Sequence, residues 1–269
     1  MAVAHPFRFA ALAAGLFALA AAGAVSATGP ATKAAAAPLR IGLATPQAPE
    51  TQGGRIYLEE GFEGDLASAL AGRLKTKAQI VRLGPDEADA ALRDGRIDLL
   101  VARAGPAAAP NVEAFPVGYA SGQSAALRSD TDIRDWSDLR GRTACVSKAN
   151  LAGRRLAEAH GATLRLASAP AAALIDLRTG LCDASIHDAA LLKPLLEKRI
   201  WRKFSATLPE TAPTTLAVVA STRQPDVVEW AAEATAAIAG AAGWKQRAAS
   251  WASTVDFEVY RDQVAADCH

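Results

Sequence analysis

Apolar and polar positions alternate in two rhythms along the chain after Pro38. Leu39-Arg40-Ile41-Gly42-Leu43 has the length and pattern of a short strand. Asp65 then precedes Leu66, Ala69, Leu70 and Leu74, which share one helix face. Ala78 to Leu83 is predicted as a strand, and Pro85-Asp86 opens a second helix that runs through Leu92. Gly95 closes that helix, because glycine takes the positive φ that a C-terminal cap needs. Ile97 to Ala102 is apolar apart from Asp98 and is predicted as a strand buried on both faces. Strands alternating with helices at this spacing predict an α/β architecture with a mainly parallel sheet.

One pattern returns. Leu92-Arg93-Asp94-Gly95-Arg96-Ile97-Asp98 has the form L-R-x-G-x-x-D, and the form recurs 85 residues later as Leu177-Arg178-Thr179-Gly180-Leu181-Cys182-Asp183. Each copy ends a helix with Gly and starts a strand with Asp. One reading is coincidence in a chain rich in Arg and Leu; the other is two similar α/β lobes. Ser124 to Arg128 and Thr215 to Ala220 read as extended crossings between such lobes. The expected division is residues 39–122 with 219–269 in lobe one and 123–218 in lobe two. Lobes joined by two hinge strands enclose a cleft, where small ligands bind.

The segment before this pattern reads as an address. Arg8 supplies positive charge, Phe9 to Val25 is uncharged and apolar, and Val25-Ser26-Ala27 places small residues at a cleavage site. Residues 1–27 are therefore expected to be a cleaved signal peptide; the alternative is an N-terminal anchor. Residues 28–38, rich in alanine, are expected to be a flexible leader. The mature protein is expected to be exported, to the periplasm in a Gram-negative cell.

Composition narrows the function classes. The chain has 269 residues, 29 Lys+Arg against 28 Asp+Glu, and only 6% aromatics. Alanine is about a quarter of it, so the core is expected to rest on thin aliphatic helix faces. The balanced charge argues against nucleic acid as a partner, since phosphate recognition needs clustered excess cation. Three cysteines exclude a four-thiolate zinc site. There is no H-E-x-x-H, C-x-x-C or P-loop pattern, and the Ser of Gly118-Tyr119-Ala120-Ser121-Gly122 is misplaced for G-x-S-x-G. No metal, cofactor or covalent chemistry is expected.

Several short motifs, in order, resemble the type II periplasmic solute-binding proteins, specifically the polar amino-acid-binding family (bacterial extracellular solute-binding protein family 3). Gly61-Phe62-Glu63-Gly64-Asp65-Leu66 is similar to the family's GF-D-x-DL entry to its first helix. Gly95-Arg96-Ile97-Asp98 resembles its G-x-x-D strand entry. Asp138-Leu139-Arg140-Gly141-Arg142 with Thr143 to Val146 resembles the turn and strand that begin lobe two. Gly180-Leu181-Cys182-Asp183-Ala184 with Asp188 resembles G-x-x-DA-x-x-x-D. The resemblance covers roughly Leu39 to Trp251. It implies a two-lobed α/β fold of the type II periplasmic-binding-protein kind, which closes on a small polar solute and presents it to a membrane permease of the ABC type. A monomer is the default for this class.

The family grips a zwitterion with an Arg from lobe one, a helix start from lobe two and an acid from lobe two. Asp188 matches that acid; otherwise it is a strand-end acid capping the next helix. Ser147-Lys148-Ala149-Asn150 stands where the family has a G-T-T helix start, so the hydroxyl pair is absent. Asn150 is expected to cap the helix and Lys148 to face an anion, or to be a solvated turn residue. The family's lobe-one Arg is missing from Gly105 to Asn111, and Arg103 is the nearest substitute; its other reading is a surface ion pair. Tyr57 and Tyr119 are candidates to line the cleft, or simple packing.

Cys145 falls within the strand that starts lobe two and Cys182 at the start of the strand after the second L-R-x-G-x-x-D helix, strands that can be neighbours in a parallel lobe; some relatives look similar, with a C-V strand and a G-x-C-D entry. The resemblance implies a disulfide between them, two buried free thiols being the alternative; Cys268 is left over. Two rival functions stay open. One is an enzyme on the same fold, similar to cyclohexadienyl dehydratases, with His187 or Asp188 as acid or base. The other is a sensor or partner subunit with a degenerate cleft.

Overall fold

A computed structural model describes residues 38–45, 51–52, 55–73, 77–104 and 110–263. The signal-like segment, residues 28–37 of the leader, Leu74, residues 105–109 and Cys268 lie outside the described residues. The chain opens with β1 (Leu39–Leu43), β2 (Thr51–Gln52), β3 (Arg55–Ile56), α1 (Glu63–Arg73), β4 (Ala78–Arg82), α2 (Pro85–Arg93), β5 (Leu99–Ala104) and β6 (Val112–Ser121). It continues through β7 (Gln123–Leu127), β8 (Thr143–Ser147), α3 (Leu151–Ala159), β9 (Thr163–Ala167), α4 (Pro170–Arg178), β10 (Ala184–Asp188), α5 (Ala189–Leu196) and β11 (Ala206–Thr207). It returns through β12 (Thr214–Ser221), α6 (Pro225–Ala236) and α7 (Ala241–Asp262).

Ten of the twelve described strands form two five-stranded mixed sheets, ordered β4-β1-β5-β12-β6 and β11-β7-β10-β8-β9, and β2 pairs antiparallel with β3. The sheets repeat one plan. In the first, β1 pairs in parallel with β4 and β5, and β12 lies antiparallel against β5. In the second, β8 pairs in parallel with β9 and β10, and β7 lies antiparallel against β10. This is the two-lobed fold that the alternating pattern and the resemblance imply.

The repeated L-R-x-G-x-x-D pattern performs one task in both sheets. Gly95 and Gly180 stand at φ +68° and +77°, reversing the chain after α2 and α4. Three residues later the Asp locks two parallel strands at their start. The Asp98 carboxylate accepts from the Arg40 amide at 2.8 Å while its own amide donates to the Arg40 carbonyl at 2.9 Å. Asp183 does the same with Thr143, at 2.8 and 2.9 Å. The second copy thus marks the second lobe.

The crossings lie elsewhere than expected. Ser124 to Leu127 belongs to β7, inside the second sheet, and Thr215 to Ala220 to β12, inside the first. The chain crosses at Gly122 and returns through residues 208–213. The two crossings run side by side: the Gly122 amide donates to Glu210 Oε1 at 2.7 Å, and the Gln123 amide to Thr211 Oγ1 at 2.8 Å. A Cβ on Gly122 would collide with the Thr211 carbonyl oxygen, so only glycine permits this approach.

A third connection corrects the picture of lobes joined by two strands alone. Helix α7 starts against the first sheet, where the Trp244 indole donates to the Val117 carbonyl at 2.5 Å. It then packs on α4 and α5 beside the second sheet. Trp251, Val255 and Val259 share one buried apolar cluster with Leu174, Leu177, Leu191 and Leu195, and with Ile41 and Leu66 of the first lobe. Asp256 anchors the far half by accepting from the Trp201 indole at 2.8 Å and from Lys198 at 3.0 Å. The core is therefore continuous along one side of the molecule. A separate cluster around Ala144, Val146 and Ile186 fills the other face of the second sheet.

Candidate functional site

The cleft opens between the C-terminal ends of the central strands of the two sheets, where open α/β sheets present ligand groups. It encloses about 320 Å³. Thr45 after β1, Glu60, Gly61 and Glu63 before and at the start of α1, and Arg103 on β5 form one wall. Gln123 on β7, Ala149 to Ala152 at the start of α3, and Asp188 at the end of β10 form the other.

Asp188 sits at the centre. It directly precedes α5, yet its carboxylate makes no capping bond to that helix. It is buried, with 2% of its side chain exposed, and Oδ2 accepts from two groups of lobe one: Arg103 Nη2 and, at 3.0 Å, the Tyr119 hydroxyl. Arg103 also donates from Nε to Glu63 Oε1 at 2.9 Å, and its guanidinium lies 5.1 Å from the centre of the Tyr119 ring. Burial alone would weaken the Arg103 charge, but Glu63 and Asp188 outweigh it and hold the guanidinium above its ordinary pKa. Burial, then the Asp188 charge, pushes the Tyr119 hydroxyl well above the usual tyrosine value, so it stays a donor.

A second bridge runs beside the first. Glu60 of lobe one accepts from His187 Nδ1 at 3.1 Å and from the Asp188 amide at 3.2 Å. His187 is fully buried, and its Nε2 lies 2.7 Å from Ser185 Oγ. His187 does not line the cleft, whereas Asp188, the other candidate acid or base of the enzyme reading, does.

Asn150 performs the capping expected of it. Its Oδ1 accepts from the Gly153 amide at 2.9 Å, and its Nδ2 donates to Gln123 Oε1 at 2.7 Å. Gly153 carries no side chain because a Cβ there would press on Asn150 and Ile186. Arg103, Asn150 and Asp188 thus come together in the cleft, with Tyr119 buried behind them.

Three expected residues stand elsewhere. Ser147 is buried at the end of β8, where its Oγ accepts from the Ala149 amide at 3.3 Å; it shapes the turn rather than lining the cleft. Lys148 follows it, with its amide bonded to the Ala167 carbonyl, and also lies outside the lining. Tyr57 faces a different cavity, of about 660 Å³, between α1, β4 and α7. Its hydroxyl donates to Asp262 at 2.6 Å, a partner 205 residues away that local pattern does not reveal. That cavity is larger than the cleft, but no polar groups of the two sheets converge on it, and its Arg82 is already paired with Glu59 at 2.5 Å.

Glu60 and Glu63 were missing from the sequence reading. Their signal is the run Glu59-Glu60-Gly61-Phe62-Glu63, three acids around the helix-entry motif. Glu63 there reads as an ordinary first-turn acid favoured by the helix dipole.

The Cys145–Cys182 disulfide is present, between β8 and the residue before Asp183, with Cα atoms 5.8 Å apart. Asp176 approaches both sulfurs, but a disulfide offers no thiolate to a metal. Among the described residues no helix is long and apolar enough to cross a membrane.

Solved structures share this fold. The substrate-binding protein AbpA of a Streptococcus pneumoniae amino acid ABC transporter, bound to L-arginine, matches with TM-score 0.55 at 15% identity, over 81% of this chain and 95% of that one. The GluR0 ligand-binding core in complex with L-glutamate matches with TM-score 0.53 at 18% identity, over 81% and 97%. The substrate-binding protein of another amino acid ABC transporter matches with TM-score 0.53 at 20% identity, over 80% and 99%. No curated protein matches the sequence. The family model for bacterial extracellular solute-binding proteins, family 3, matches residues 40–254, and with two lobes, paired strand-locking aspartates and a polar cleft between them, the chain belongs to that family.

Proposed function

We propose that the protein is an exported binding protein that captures a small polar solute, an amino acid or related organic ion, between its lobes and delivers it to an ABC-type importer. The observation that carries this reading is the convergence of Arg103, Asn150 and Asp188 from both walls on one 320 Å³ cleft. A guest touching both walls favours the closed form over the open one, and selectivity follows from that difference. The neighbours hold L-arginine in one case and L-glutamate in another, so the shared fold serves either charge and does not by itself select the solute. Signal cleavage after Ala27, a periplasmic location, a monomeric state and a first lobe boundary at residues 122–123 belong to the same proposal, with the return crossing in residues 208–213 in place of 218–219, which falls inside β12.

Thermal-shift screening of the mature protein against amino acids, organic acids and polyamines tests it. At least one solute is expected to raise the melting temperature, without being turned over, and Asp188→Ala is expected to abolish the rise. An unchanged rise in Asp188→Ala removes Asp188 from the site. Silence across the panel favours the second reading, a sensor or partner subunit, for which the specific observation is that Arg103 already occupies Asp188.

A further inference from the structure

We propose that the cleft is a cation site whose resident occupant is the protein's own Arg103, and that a solute binds there by presenting a guanidinium or primary ammonium group that takes over the oxygens Arg103 holds. The inference rests on reading this cleft as a binding site and names the class of ligand it takes.

Arg103 is held as a guanidinium ligand would be held: one carboxylate on Nε, a second on Nη2, an aromatic face against the plane. Its two carboxylates come from opposite lobes, so the side chain joins the walls it stands between. Neither carboxylate is saturated. Asp188 Oδ1 and Glu63 Oε2 are buried and accept no hydrogen bond from the described residues, so each still has acceptor capacity for a cation. The described lining holds Glu60, Glu63, Asp89 and Asp188 against Arg103 and Arg155, four carboxylates to two guanidiniums. That excess repels an anion unless another cation accompanies it. Among the described lining residues Arg103 is the lobe-one cation, and it is committed to Glu63 and Asp188. The solute therefore competes with a tethered cation, and removing the tether vacates a site of matching shape and charge.

Chemical complementation of Arg103→Ala tests this. The variant leaves two buried carboxylates without their cation, so its melting temperature is expected to fall. Methylguanidinium chloride at low millimolar concentration is expected to raise it again, with equal sodium chloride and tetramethylammonium chloride as controls. Calorimetry is expected to show methylguanidinium binding to the variant at least about tenfold more tightly than to wild type, since wild type must first displace its own side chain. Adding Asp188→Asn to the variant is expected to remove the response. If Arg103→Ala does not fold alone, methylguanidinium is expected to restore a cooperative transition that sodium chloride does not. A variant that ignores methylguanidinium, folded or not, or that is stabilised by succinate instead, overturns the inference. Wild type silent to every solute while the variant responds removes the transport reading and overturns the displacement of Arg103 by a solute, leaving only Arg103 as the resident cation.

Discussion

At Asp98, one carboxylate fixes where two strands begin. Arg40 grips it with its backbone amide and, at 3.1 and 2.7 Å, with its side chain. Burial would raise the Asp98 pKa, but the Arg40 bonds prevail and hold it below its ordinary value of 3.8. A depressed carboxylate stabilises the fold above the unfolded pKa, and that contribution fades as pH falls through the folded one. Asp98→Asn is expected to cost about 1–2 kcal/mol at pH 7, the exposed side of Arg40 limiting the gain. Urea titrations should show the gap between wild type and variant closing below about pH 4; a gap independent of pH would assign the effect to packing. Both strand-locking aspartates were legible in sequence because the L-R-x-G-x-x-D pattern is local. The partners of Arg103 and Tyr57 were not, because they lie 85 and 205 residues away and only the fold brings them together.

Among the elements, β8 and β10 illustrate what spacing does and does not reveal. The alternating pattern allows them to be parallel neighbours, as they are, but the Cys145–Cys182 bond is implied by the family resemblance rather than by spacing. Closing this loop is worth about 4 kcal/mol in the chain-entropy model. Replacing both cysteines with serine is expected to lower stability by about that amount, and mass spectrometry of the non-reduced protein is expected to find these two paired. A free Cys145 thiol would contradict the structure. At the crossing, Gly122→Ala is expected to cost about 2–3 kcal/mol, because the backbone must yield around Thr211; a loss within 0.5 kcal/mol, typical of surface positions, would show that the crossings tolerate separation. The residues at the crossing were placed a few positions off from sequence, since β7 and β12 are extended on both sides of it and nothing local marks where one sheet ends.

For the whole molecule, the outcome turns on α7. The expected division puts residues 219–269, and so α7, in lobe one, whereas the helix is buried against both. In the proposed binding cycle, opening is expected to pivot about the paired crossings and the α7 side, with the opposite rim, between α2 and α3, moving most. The polar bridges Arg103–Asp188 and Glu60–His187 join the two walls deep in the cleft, behind that rim. Nitroxide labels at Asp86→Cys on α2 and Glu158→Cys on α3, with Cys268→Ser, report the distance across it by pulsed electron resonance. With a solute that calorimetry shows to be bound, one narrow distance distribution is expected; without it, a broader one reaching longer distances. Identical distributions in the two conditions would contradict closure of the lobes on a guest.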